Sequence, residues 1–136
     1  AINNYLVVGT GNKVEDFGVG FYTKYGDGGV DLSPIADLMK TDVRLIAKEL
    51  GIIDIIIKAP PTDGLWDDSR TDEDQLGASY EELEKAMKQV ENKVQIKSLS
   101  SREIEVYKIL NQFNSANKHK MEPIPICIIP EYFKTK

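Results

Sequence analysis

Apolar residues fall into short, separated groups along this chain, and their spacing changes from group to group. Tyr5-Leu6-Val7-Val8 is a continuous run stopped by Gly9-Thr10-Gly11-Asn12. Such a run predicts a buried parallel strand, with a ligand-accepting turn at its carboxyl end. Val14 and Phe17 then predict a short helix. Val30 to Ile35 reads as extended, because Ser33 precedes Pro34. From Thr41 onward, Val43, Ile46, Ala47 and Leu50 recur at helical spacing and Gly51 follows at the C′ position. That pattern predicts a helix with a core-facing stripe. Ile52–Ile57 has the β-branched content of a strand, but its short link to the preceding helix favours a second short helix, ended by Pro60 and Pro61.

Capping boxes punctuate the second half. Ser79-Tyr80-Glu81-Glu82 opens a helix lined by Leu83, Ala86, Met87 and Val90, and Ser100-Ser101-Arg102-Glu103 opens another, with Ile104, Tyr107, Leu110 and Phe113, reaching to about Asn117. The inner faces of both are expected to be core and to carry no chemistry. Val94-Gln95-Ile96 reads as a linker. Pro61 to Gly77 holds six acids against Arg70 and predicts a mobile surface loop, or a lid anchored by Trp66. Beyond the basic cluster Lys118-His119-Lys120, Pro123 and Pro125 impose an extended tail, in which Cys127 is expected to be buried and inert.

Composition narrows the chemistry. The 136 residues suit one domain, but the scarcity of strands to flank Tyr5–Val8 predicts a domain entered midway. A net charge of −5 argues against general nucleic-acid binding, so any anionic ligand must be held by a local group of cations. A single cysteine excludes an internal disulfide and fits a reducing, cytoplasmic setting. No apolar run approaches the ~20 residues of a membrane span. With one histidine, a histidine-based metal site within one chain is excluded. One stretch stands out: Gly26-Asp27-Gly28-Gly29, flanked by Lys24 and Lys40. Glycines there permit unusual backbone angles or close approach, and the lysines suit a phosphate or carboxylate, although for GDGG alone a flexible loop with solvated lysines is the favoured reading. Thr10 and Asn12 suit helix capping, or a nucleotide contact with Glu15 as a magnesium ligand.

Four strings occur in order: VVGTGNKVE, FYTKYGDGGVDLSPIADLMKTDV, APPTDGLWDDSRTDEDQLGASYEEL and NKHKMEPIP. Together, from about Leu6 to Pro125, they resemble the C-terminal half of ammonia-dependent NAD synthetases. The resemblance implies an α/β fold of the ATP-pyrophosphatase, or adenine nucleotide alpha hydrolase-like, type. Its Rossmann-like parallel sheet would be represented here by a mostly helical C-terminal portion, residues 1–136 of one domain. The family's SGGxDS pyrophosphate loop would lie in the absent front half, so this chain alone is expected to be inactive. Site roles follow by the same resemblance. Thr10, Lys40 and Thr62 match ATP contacts, with Lys40 also the catalytic charge, and Glu15 matches a magnesium ligand. Lys24, Asp31, His119 and Lys120 match positions that bind deamido-NAD, the last two across a homodimer. The spacing from Glu15 to Lys24 is one residue longer than in some members.

The implied reaction amidates deamido-NAD with ammonia through an acyl adenylate, releasing AMP and pyrophosphate, with ATP as co-substrate and Mg2+ as cofactor. It requires no protein nucleophile, which agrees with the lack of a Ser-His or Cys-His arrangement. Two alternatives stay open: a non-catalytic dimerisation or nucleotide-binding piece, and a related amidotransferase such as a GMP synthetase. The KYGDGGVDL and NKHK strings speak against the latter.

Overall fold

The computed structural model describes residues 3–64 and 68–134. The proposed anchor Trp66 lies outside the described residues. Helices occupy about half of the described residues: a π-helix at Val14–Val19, then α1 (Lys40–Glu49), α2 (Asp54–Ile57), α3 (Asp72–Leu76), α4 (Tyr80–Glu91) and α5 (Ser101–Met121), with 3-10 turns at Ile96–Ser98 and Glu131–Phe133.

Local signals explain why α4 and α5 start where they do. Ser79 Oγ accepts from the Glu82 amide at 3.2 Å, and Glu82 Oε2 accepts from the Ser79 amide at 3.0 Å. Ser100 and Glu103 repeat the exchange at 3.4 and 2.8 Å. The core then forms where α4, α5 and the π-helix meet. Leu83, Ala86 and Met87 from α4 pack with Val106 and Leu110 from α5 and with Val14 and Val19. Helix α5 runs a turn past the expected Asn117, and its last turn contains Lys118, His119 and Lys120.

One polar face of α5 closes the π-helix. Asn114 Nδ2 donates to the carbonyls of Phe17 and Gly18 at 3.0 and 2.9 Å, and Asn117 Nδ2 to that of Val19 at 2.8 Å. Lys120 Nζ donates to the carbonyls of Gly20 and Tyr22 at 2.9 and 2.8 Å. Positions three apart on α5 thus satisfy carbonyls that a helix end leaves without partners. Gly20, at φ 65°, ends the π-helix, and a Cβ there would sit 2.5 Å from Asn117 Cβ. Only glycine meets both conditions.

Several expectations need correction. Tyr5–Val8 is exposed, and Val8 makes a single parallel bridge to Leu32. No further strand forms among the described residues, so no parallel sheet is seen there. Helix α1 forms as expected but buries none of its residues: Leu45 is 62% and Leu50 74% exposed. Periodicity locates an apolar face without saying how fully it is covered: Val43 and Ala47 are half-buried, whereas Ile46 and Leu50 stay exposed. Val90, expected in the core, is also exposed. Pro61 to Gly77 is not a loop throughout. Thr71 and Asp74 cap each other, starting α3, and Asp72 and Leu76 are buried. The tail is extended as expected but lies off the core, so Cys127 is exposed instead of buried.

Candidate active site

The most connected polar group joins three distant parts of the chain. Glu15 sits on the first turn of the π-helix, where Asn12 Oδ1 accepts from the amides of Val14 and Glu15 at 3.0 and 3.2 Å. Asn12 is 1% exposed, so its capping role is structural. Lys40, on the first turn of α1, places Nζ 3.1 Å from Glu15 Oε1. The same oxygen accepts from the Tyr80 hydroxyl at 2.6 Å. Lys40 Nζ also lies 5.0 Å from the centre of the fully buried Tyr80 ring. Tyr80 Oη donates to Asp72 Oδ2 at 3.2 Å, and Asp72 Oδ1 is buried without a partner among the described residues. Burial pushes the Asp72 carboxyl up, with Glu15 adding to the effect and Tyr80 opposing it. Burial and these two carboxylates hold the Tyr80 phenol far above its ordinary range. Tyr80 is therefore a fixed, neutral donor that aims Glu15.

One hollow adjoins this group through Glu15, and two more share Tyr22 and Lys120 with that hollow. The first, of about 280 Å³, is lined by Gly9, Thr10, Gly11, Glu15, Asp16 and Lys120, among others. Asp16 is raised by burial, with Glu15 and Asp27 contributing, and burial likewise raises Tyr22. A second, of about 670 Å³, collects Tyr22, Lys24, His119, Lys120 and Pro123 to Pro125. Lys24 Nζ donates to the His119 carbonyl there. The third gathers Asp27, Asp63, Gln75 and Asn117. Tyr22 and Lys120 line all three. None of the glycines of the glycine-rich loop takes the positive φ that was expected there. A Cβ at Gly28 would fall 2.4 Å from Tyr22 Cδ2, so it is the Tyr22 ring that approaches closely. Asp27 Oδ1 meanwhile accepts from the Thr23 amide at 2.8 Å.

Thus Glu15 is joined to Lys40 and shares a hollow with Thr10, while Lys24, His119 and Lys120 share another. Two candidates stand apart. Asp31 Oδ2 accepts from the Val7 amide at 2.8 Å, and Thr62 Oγ1 accepts from the Gly64 amide at 3.2 Å. Neither lines these hollows. Lys24 and Lys40, expected to flank one anion, have separate partners. Helix α4 was expected to carry only core on its inner face, yet Tyr80 on its first turn places a hydroxyl on Glu15. Asp72 was submerged in the acidic run, and no local signal links either to Glu15. No group of three acids, histidines or cysteines placed to hold a metal unaided occurs among the described residues.

Lysines and carboxylates around tight glycine turns suit phosphorylated ligands. The chain belongs to the NAD synthase family, whose sequence signature matches residues 1–124. It is 36% identical over 135 residues to an NH(3)-dependent NAD(+) synthetase of Sulfolobus acidocaldarius, covering 96% of this chain and 46% of that one. A Methanosarcina acetivorans protein of the same name is 42% identical over 130 residues, covering 90% and 48%. An NMN synthetase structure from Francisella tularensis superposes with a TM-score of 0.73 at 29% identity, over 93% of this chain and 47% of its own. A Campylobacter jejuni NH3-dependent NAD synthetase gives 0.67 at 25%, over 94% and 47%. The chain spans about half the length of these relatives. No helix among the described residues is long and apolar enough to cross a membrane.

Proposed function

We propose that the protein containing this chain amidates deamido-NAD with ammonia, driven by cleavage of ATP. The observation that carries the reading is the Lys40–Glu15–Tyr80 cluster, opening beside the Thr10 turn in a chain of the NAD synthase family. The nicotinate carboxylate attacks the α-phosphorus of ATP, and the bond to pyrophosphate breaks. Ammonia then attacks the acyl carbon, AMP leaves with the bonding electrons, and a proton is lost to solvent. Acceleration comes from positioning two anionic substrates and neutralising phosphate charge.

Each candidate has a place in this proposal. Lys40 is the point charge for the phosphates, Thr10 and Thr62 contact ATP, and Lys24, Asp31, His119 and Lys120 hold deamido-NAD. Magnesium binds readily through one or two carboxylates plus substrate phosphates, and Glu15 fits that mode because its Oε2 has only a 3.3 Å contact, from the Asn12 amide. When bound there, the ion would neutralise phosphate charge. Tyr80 keeps Glu15 aimed, and Lys40 balances its charge. We further propose a cytoplasmic homodimer whose full-length fold places Tyr5–Val8 in a Rossmann-like parallel sheet, with this chain as the C-terminal part of that domain.

The test supplies purified full-length protein with ATP, ammonium and magnesium, and separates products by chromatography. NAD, AMP and pyrophosphate are expected in equal amounts from deamido-NAD. Likeness to the Francisella NMN synthetase supports a second reading, amidation of the mononucleotide. Nicotinic acid mononucleotide and xanthosine monophosphate therefore form parallel arms. Preference for either over deamido-NAD would reassign the substrate.

A further inference from the structure

We infer that Glu84 is a positioning residue for Lys40. Its buried carboxylate supplies the cap that α1 lacks, and so fixes where the helix, and the ammonium on its first turn, begins. The inference rests on the role proposed above for Lys40. Helices favour Ser, Thr, Asp or Asn at the N-cap, because the first amides need a side-chain acceptor. In α1 that position is Met39, whose thioether is a weak acceptor and whose side chain is buried in the core. Asp42 Oδ2 accepts from the Met39 amide at 3.1 Å, and the return half of this capping exchange falls on the weakly accepting Met39 sulfur. The acceptor for the helix amides comes from 43 residues further along the chain. Glu84 Oε1 accepts from the Thr41 amide at 2.9 Å, and Glu84 Oε2 from the Thr41 hydroxyl at 2.7 Å.

Both oxygens of a carboxylate that is 5% exposed are thus committed to the residue next to Lys40. Burying that charge is tolerable only with such partners, and aligned peptide dipoles favour a negative charge at a helix start. Tyr80 lies four residues before Glu84, so the two share one face of α4. That face holds Lys40 twice: through its main chain by Glu84 and Thr41, and through its ammonium by the Tyr80 ring and Glu15. A second tie between α1 and α4, Arg44 to Glu81 at 3.3 Å, is solvent-exposed and holds little by comparison.

Trace acylation of lysines, read by mass spectrometry on the full-length protein, reports on Lys40 without any substrate. Lys48 and Lys58, both exposed, serve as internal references. Glu84→Ala is expected to raise the relative labelling of Lys40 about tenfold, and Thr41→Val, which keeps the amide bond, about threefold. Glu84→Gln can still accept from the Thr41 amide and should stay within about twofold of wild type. In turnover, Glu84→Ala should lower kcat about tenfold, with the KM for ammonia unchanged and no further loss in a Lys40→Ala background. Unchanged Lys40 labelling in a folded Glu84→Ala protein would overturn the inference. So would a rise shared equally by Lys48 and Lys58, or losses that add to those of Lys40→Ala. If Glu84→Ala does not fold, Thr41→Val decides on the same labelling criterion. Failure of the wild-type protein to amidate deamido-NAD would sink the functional reading alone, because the labelling arm needs no reaction.

Discussion

At the scale of single residues, Lys40 is the side chain whose surroundings say most about its task. Its ammonium is held between a carboxylate and an aromatic face, with 23% of the side chain left exposed. A charge held this way is ready for an anion and needs little reorganisation when one arrives. Lysine acts on phosphate as a point charge, of greatest value where charge builds on a leaving pyrophosphate. Lys40→Ala in the full-length protein is therefore expected to lower kcat by about 10²-fold, more than it raises the KM for deamido-NAD. An unchanged turnover number with only a raised KM would show that the role is misassigned. Lys40 and Glu15 could be named from sequence through a family resemblance, but their pairing could not. They are 25 positions apart, and Tyr80 is 65 from Glu15, with no periodicity linking them.

Among the elements, the helix starts that were legible are those whose signal is local. Ser79 with Glu82, and Ser100 with Glu103, each settle a boundary within four residues. Helix α3 escaped notice because its box uses Thr71 and Asp74 inside a run of like charge, which argues for a loop. Glu82 does a second job. Arg102 Nε and Nη2 each donate to it at 2.8 Å, tying the start of α5 to the start of α4. With Arg102 first and the Ser79 amide next, these bonds hold the Glu82 carboxyl at about 2, against an ordinary 4.5. A depressed folded-state value contributes stability that is complete above 4.5 and is lost as pH falls through about 2. Arg102→Met should therefore destabilise the protein at pH 7, and the difference from wild type should shrink as urea melts are repeated from pH 4.5 down to 2. A difference that stays constant over that range would assign the loss to the bond from Arg102 to the Gly77 carbonyl instead.

For the molecule as a whole, helical content was readable, whereas what lies against the apolar faces was not. Leu50, Ile53 and Ile55 are each more than 60% exposed, and Tyr5 is 82% exposed. Hydrophobic pattern names such faces, but their covering depends on chain beyond the local window. The site has the same dependence. Lys40 and Glu15 are paired, while Lys24 is tied to the His119 carbonyl and Lys120 is bonded to Gly20 and Tyr22, with Lys120 also lining the hollow beside Glu15. In the proposed dimer, Lys24, His119 and Lys120 serve the partner's substrate. Mixing two full-length variants tests this. Lys40→Ala removes the charge from its own site, and Lys120→Ala removes the contribution to the neighbouring one. If sites are shared, a mixed dimer has one site with both lysines intact, and activity absent from either variant alone should return. Because Lys24 is tied to His119, Lys24→Ala should recover with Lys40→Ala in the same way, and should not recover with Lys120→Ala. No return of activity, with subunit exchange verified, would place Lys24 and Lys120 in the site of their own chain.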